Sequence, residues 1–381
     1  MHMPLTRRAA SGALLSLLAA RDALADDAGV TASSVTIGRV MPTGSPAFGP
    51  MSRLHAGGAQ ACVAAANAQG GINGRRIVLV DRDDGYDAVR AREETRSLVE
   101  DVKVFALLGA VGTPTLPTIM EVAERHGVPL VGAASVGNEA RLPARRLVFP
   151  VRMSAAGEAA AIVRHQGTVG SKRFVVLSSK EAYGPAGGAA FESALREAGL
   201  AGTSIAFGAA DDPRAVARKV LDAAPDAILI SVVPRPFAAV ARRYDALGGH
   251  ARMFGLSVIT IEDLGAALGP LSEGIALSQV LPSPRSHSSL LADDFRRALA
   301  AHAPSVAPSY HALEGYLEAR VLLEGIRRAG GELTRARLVA ALEGFGTHDF
   351  GGVLVRYGAT DRTGSIYSDL IMLAANGRTV S

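Results

Sequence analysis

Thr113, Ser135, Phe48 and Tyr183 are the side chains of this sequence best placed to hold a small molecule. Each falls in a short loop just after an apolar run of strand length. The loops span residues 41–49 (MPTGSPAFG), 109–114 (GAVGTP), 132–137 (GAASVG) and 178–184 (SSKEAYG). In an open parallel sheet, ligands sit beyond the carboxyl ends of strands, where loops and helix starts expose backbone N–H groups. Hydroxyls there, from Thr113 and Ser135, can donate to a carboxylate or carbonyl oxygen. Phe48 and Tyr183 can cover an apolar body from opposite sides. Taken singly, each residue has a plainer role as a helix cap, a turn or a core ring. Their recurrence at matching positions favours a binding cleft. Pro114 and Ala133 beside them, and Pro234, Leu256 and Ser257 in two later loops, complete the candidate set.

Catalytic signatures are missing. Gly38, Gly44 and Gly49 have the wrong spacing for a dinucleotide loop, and no Walker loop, HExxH or GxSxG occurs. Asp81, Asp83, Asp84 and Asp87 lack EF-hand spacing and its closing glutamate. They read as a solvated loop and a helix start, with Asp87 as N-cap. His126, His165, His250, His287, His302, His311 and His348 are scattered, with no pair four apart, and read as surface or satisfied histidines. The single cysteine, Cys62, allows no internal disulfide and no CxxC site, and reads as a small buried hydrophobe. No catalytic residue, metal or cofactor is expected.

Stepping outward, 381 residues suit two lobes better than one core. A composition 48% hydrophobic and 20% charged is that of a globular chain. The net charge of +4 is too mild to imply nucleic acid, and part of it sits on Arg7, Arg8 and Arg21. Trp is absent and aromatics make up 5%, which argues against a stacking platform for single strands. Residues 1–25 read as a signal peptide: Arg7 and Arg8, an apolar stretch over 13–20, then Ala23-Leu24-Ala25 before Asp26. That apolar stretch is too short for a permanent span, and no later one reaches about 20 residues. A soluble periplasmic chain is expected, and a monomer.

The remainder alternates strand and helix, the pattern of parallel sheets covered on both faces. Strands are expected at 35–40, 77–81, 104–108, 128–131 and 148–151, with helices at 51–68, 88–101 and 115–126. A second block places strands at 174–177, 204–207, 227–230, 253–255 and 275–278. Its helices fall at 156–166, 185–198, 213–223 and 236–247. A proline-marked return at 279–289 leads to helices at 290–302, 309–329 and 334–342, then strands at 352–357 and 366–373.

The run from Asn67 to Asp87 reads NAQGGINGRRIVLVDRDDGYD: helix end, glycine pair, turn, buried strand, acidic loop. It resembles the periplasmic solute-binding proteins of the branched-chain amino acid and amide transporter class. The resemblance covers nearly the whole mature chain, including SYHALEGYLEAR at 309–320 and DFGG at 349–352. It implies a two-lobed type I periplasmic-binding-protein fold, each lobe a mostly parallel sheet flanked by helices, joined by hinge strands. Residues 34–151 with 282–364 would form lobe 1, and 152–281 with 365–381 lobe 2. It implies that Thr113 and Ser135 hold the polar head of a solute, that Tyr183 closes over it, and that Phe48 matches a first-loop aromatic. The implied function is the substrate-binding part of an ABC importer, with the permease subunits as partners. A ligand sensor of the same fold is the alternative. Amino-acid binders of this class place an acidic residue in a second-lobe loop, but here that loop reads GLSVI at 255–259, with Glu262 and Asp263 farther along. A buried ammonium without a partner is costly. A carboxylate, amide or apolar solute is therefore expected rather than a plain amino acid, with Arg235 as a further anion partner at the rim.

Overall fold

The computed structural model describes residues 28–141, 145–374 and 379–380. The expected signal peptide at 1–25 lies outside the described residues. Two sheets organise the chain. The first alternates β1 (Ser34–Met41), α1 (Gly49–Ala68), β2 (Arg76–Asp83), α2 (Ala88–Arg96), β3 (Ala106–Leu108), α3 (Leu116–Arg125), β4 (Leu130–Val131) and β5 (Val148–Phe149). Its order is β2-β1-β3-β4-β5 and every pairing is parallel. Its central strands are short Val, Ile and Leu runs, because helices cover both faces and leave no room for alternation. Leu98, Leu107, Leu116 and Ile119 pack one face, and Ile37, Phe105, Phe149 and Leu317 the other.

The second sheet follows α4 (Ala155–Thr168). It continues β6 (Arg173–Ser179), α5 (Gly184–Glu197), β7 (Ala201–Phe207), α6 (Pro213–Asp222), β8 (Ala227–Ser231), α7 (Pro234–Ala246), β9 (Arg252–Gly255), α8 (Ile261–Leu268) and β10 (Ala276–Gln279). Helices α9 (Leu290–His302), α10 (Tyr310–Ala329) and α11 (Arg335–Glu343) then pack back against the first sheet's core. A small antiparallel sheet follows, of β11 (Gly346–Asp349), β12 (Leu354–Tyr357) and β13 (Gly364–Ser365). Finally β14 (Asp369–Leu373) and β15 (Thr379–Val380) add antiparallel strands to the edge of the second sheet, beside β10. The chain thus passes between the two bodies three times, after β5, after β10 and after β13.

Helix starts follow their capping chemistry. Asp87, Ser154, Asp212, Thr260, Ser289, Ser309 and Thr334 each accept a hydrogen bond from a first-turn amide. Several expected boundaries move. Strand β12 begins at Leu354 because Gly351 and Gly352 take positive φ (93° and 102°) and turn the chain. The expected strand at 366–373 begins only at Asp369, after a turn in which Ser365 Oγ accepts from the Tyr367 amide. The acidic run is not a solvated loop. Asp81 and Asp83 lie on β2, where Asp81 accepts two hydrogen bonds from the buried Arg39 (2.6 and 2.8 Å). Asp84 is buried and accepts from the Tyr86 amide at 2.8 Å. Asp87 caps α2 as expected. Among the described residues, no helix is long and apolar enough to cross a membrane.

Candidate functional site

Helices α1 and α10 come together through glycine. A Cβ on Gly58 would lie 1.7 Å from the Ala312 carbonyl oxygen, and one on Gly315 would lie 2.0 Å from that of His55. Only glycine permits this approach. The crossing sets Ser52 and His55 of α1 beside His311 and Glu314 of α10, at one end of a cavity between the two sheets. The cavity holds about 670 Å³ of atom-free space, its open mouth included.

Loops beyond the strand ends supply the other walls. From the first sheet come Val111, Gly112 and Thr113 after β3, and Ala134, Ser135 and Val136 after β4. A bridge between Val111 and Ala134 ties these two loops together. Ser135 Oγ accepts from the Gly137 amide at 3.0 Å. The Thr113 hydroxyl accepts from the Val136 amide at 3.4 Å, and the Thr113 amide and hydroxyl both hydrogen-bond the Tyr86 hydroxyl. From the second body come Tyr183, just before α5, and Leu256 and Val258, after β9. The aromatic wall spans both sides: Phe48 stacks on Tyr86 (centroids 4.1 Å) and meets Tyr183 edge-on at 6.3 Å. Tyr183 presents its ring only, since its hydroxyl donates to the Val232 carbonyl at 2.7 Å. Tyr86 and Ala182 hold φ of 70° and 56°, left-handed backbone at non-glycine residues beside the site.

Arg152 lies where the chain crosses from β5 to α4. It pairs with Glu158 of α4 (3.1 Å) and Glu314 of α10 (3.2 Å), and donates to Ser257 Oγ. Glu158 in turn accepts from the Ser257 amide (2.8 Å) and the Ser278 hydroxyl. Burial opposes the Arg152 charge, but Glu314 and Glu158 outweigh it and hold the guanidinium cationic. Deeper in, Glu318 is fully buried, and burial pushes its carboxyl well above the usual range. His55 Nε2 lies 3.0 Å from a Glu318 oxygen but out of line for a hydrogen bond. Burial pushes His55 down to about 4 and His311 down to about 3, so both imidazoles are neutral near pH 7. Burial also raises Glu314, against the pull of Arg152.

Of the candidate residues, Phe48, Thr113, Ser135, Tyr183 and Leu256 line this cavity. Four do not. Ala133 is packed in the core behind the loop, and its neighbour Ala134 faces the cavity instead. Pro114 is exposed. Ser257 is buried beneath the wall, occupied by Arg152 and Glu158. Pro234 starts α7 and lines a separate groove with Pro46, Pro50, Arg235 and Asp263. Sequence reasoning missed Tyr86, Ser52, His55, Arg152, Glu158 and Glu314, and read His311 as surface or satisfied. One signal was present: His311, Glu314 and Glu318 are spaced three and four apart, on one face of α10. Loop 255–259 brings no carboxylate, but Glu158 and Glu314 reach the cavity wall from helices. Among the described residues, no cluster of three His, Cys, Asp or Glu side chains has the arrangement to hold a metal ion.

Residues 34–377 match the family model described as periplasmic binding protein. The chain is 24% identical over 319 residues to "Leu/Ile/Val-binding protein homolog 3" of Brucella melitensis, covering 81% of this chain and 83% of that one. It is 31% identical to a substrate-binding periplasmic protein from Ralstonia solanacearum, with a TM-score of 0.80 over 91% of this chain and 99% of the other. It shares its fold with a fatty acid ABC transporter substrate-binding protein from Thermomonospora curvata (19% identity, TM-score 0.81, 94% of each chain). The two-sheet architecture is thus the type I fold that the sequence resemblance implied, and the chain belongs to the periplasmic binding protein family.

Proposed function

We propose that this chain is the exported, periplasmic solute-binding component of an ABC importer, which captures its solute by closing two lobes around it. Residues 34–151 with 282–364 would move as one lobe and 152–281 with 365–381 as the other. Hinge closure of this kind is established for periplasmic binding proteins. The observation that carries the reading is a cavity walled from both sheets, with Phe48 and Tyr86 on one side and Tyr183 on the other. A solute touching both walls only in the closed form favours that form. Thr113 and Ser135 would receive its polar head, with Tyr183 and Leu256 over its body.

The solute we favour is a carboxylate, amide or apolar molecule rather than a plain amino acid. The cavity carboxylates Glu158 and Glu314 are already engaged by Arg152. An ammonium would have to compete with a guanidinium for them, whereas the hydroxyls of Thr113 and Ser135 on the cavity wall suit an oxygen acceptor.

Mass spectrometry of small molecules released from the purified, denatured protein tests this directly. A bound solute raises the unfolding free energy by about 2.7 kcal/mol at a hundredfold excess over its Kd, so calorimetry and thermal shift with a broad solute library provide the second arm. Replacing Thr113 and Ser135 together with Ala should weaken binding at least about tenfold, as loss of one or two hydrogen bonds implies, with the free protein still folded. Silence across the library, with nothing recovered by mass spectrometry, overturns the binding role.

A further inference from the structure

We propose that Ser52 and His55 form a second polar subsite in the cavity, which takes an uncharged hydroxyl or carboxamide group of the solute. The proposal rests on the solute-binding reading above and deepens it. Two helices build this end, whereas strand-end loops build the Thr113 and Ser135 end. Ser52 and His55 are one turn apart on α1, and both line the cavity. Ser52 is 0% exposed and His55 3%. The Ser52 hydroxyl and His55 Nδ1 have no hydrogen-bond partner among the described residues, whereas His55 Nε2 faces Glu318 at 3.0 Å. Buried polar atoms are nearly always paired, and leaving them unpaired is costly. Two such atoms, on residues that line one cavity, point to a group that enters from it.

Their surroundings fix the chemistry of that group. The open nitrogen of a neutral imidazole donates or accepts according to tautomer, and a hydroxyl offers both roles. A ligand hydroxyl or primary amide also donates and accepts, so it complements this set. A carboxylate or an ammonium does not. The guanidinium of Arg152 is already balanced by Glu158 and Glu314, so an added charge would face a saturated network in a desolvated space. Nor can the subsite relax by moving apart, because the Gly58 and Gly315 contacts hold α1 against α10.

Matched solutes that differ at one group provide the test: phenylacetate against 4-hydroxyphenylacetate, and hexanoate against 6-hydroxyhexanoate and adipic acid monoamide. Calorimetry on the wild type should show at least one hydroxyl or amide member binding about tenfold or more tightly than its unsubstituted partner, because a site built for a hydrogen bond rejects an analogue that lacks it. Ser52→Ala and His55→Leu should each shrink that preference to under about threefold, on the same principle. Ser52→Ala removes one atom and keeps the proposal testable should His55→Leu fail to fold. Equal affinities within every pair, as expected if water alone fills the subsite, overturn the proposal. So does a preference that survives in Ser52→Ala. Failure of all five compounds also overturns it, while a solute recovered from the purified protein by mass spectrometry would leave the binding role standing.

Discussion

His55 and Glu318 meet inside the protein with opposite titration behaviour, and this gives the stability a readable pH dependence. The fold keeps His55 neutral down to about pH 4, while an unfolded chain protonates it near 6.5. Between those values the unfolded state holds the extra proton, so stability falls as the pH drops through that window. The gap is worth roughly 3 kcal/mol. Glu318 runs the other way. Its folded carboxyl keeps its proton well above the ordinary range, so its contribution is present at low pH and lost as pH rises. Urea unfolding between pH 4.5 and 8 should therefore show a flatter acid limb in His55→Gln than in the wild type. Glu318→Gln should gain stability relative to the wild type at pH 8. A wild-type acid limb unchanged by His55→Gln would show that the imidazole is not held neutral. The loop residues of the site were legible because position alone selects them: Thr113, Ser135 and Tyr183 directly follow apolar runs of strand length. His55 was not. Its role arises from a contact with a helix more than 250 positions away, which no local spacing announces. Tyr86 was hidden by a local reading, since the aspartates around it looked like a solvated loop.

At the scale of elements, the site depends on the α1 and α10 crossing. The glycines there are not flexible joints but absences of side chain. Gly58→Ala would drive a methyl group into the Ala312 carbonyl, and both atoms belong to backbone that cannot rotate away. Overpacking of this kind costs about 1–3 kcal/mol or more. Gly331 is the contrast: its φ is ordinary and a Cβ there meets nothing within 4 Å, so Gly331→Ala should shift stability by less than about 0.5 kcal/mol. Denaturant midpoints of the two variants decide the matter, and equal midpoints would show that the helices can separate freely. Helices were legible as elements because caps and apolar faces mark them: Ser309 opens α10 and Thr334 opens α11. Strand β11 (Gly346–Asp349) was not legible. It is polar, and exposed along most of its length, and it forms only by pairing with β12.

Across the whole molecule, Arg152 is the side chain that ties the two bodies together. It stands at the first of three chain passages, and it pairs with α4 on one side and α10 on the other. Removing one partner of a buried ion network leaves the rest uncompensated, at a cost of about 3–5 kcal/mol, whereas replacing the whole network by neutral groups of similar size is far less costly. Arg152→Met should therefore destabilise strongly, and Arg152→Met combined with Glu158→Gln and Glu314→Gln should recover most of the loss. The deficit of the single variant also carries a pH signature. Glu314 is already raised by burial against the pull of Arg152, so deleting the guanidinium lets it hold its proton to still higher pH. The folded state then binds a proton that the unfolded state releases, and stability falls as pH rises. The Arg152→Met deficit should be smaller at pH 5 than at pH 8. Small-angle scattering of the same variants reads the other consequence. If this network helps hold the two bodies together over the cavity, Arg152→Met should increase the radius of gyration of the solute-free protein and the neutral triple variant should increase it less. An unchanged radius together with an unchanged midpoint would reduce Arg152 to a bystander at the crossing.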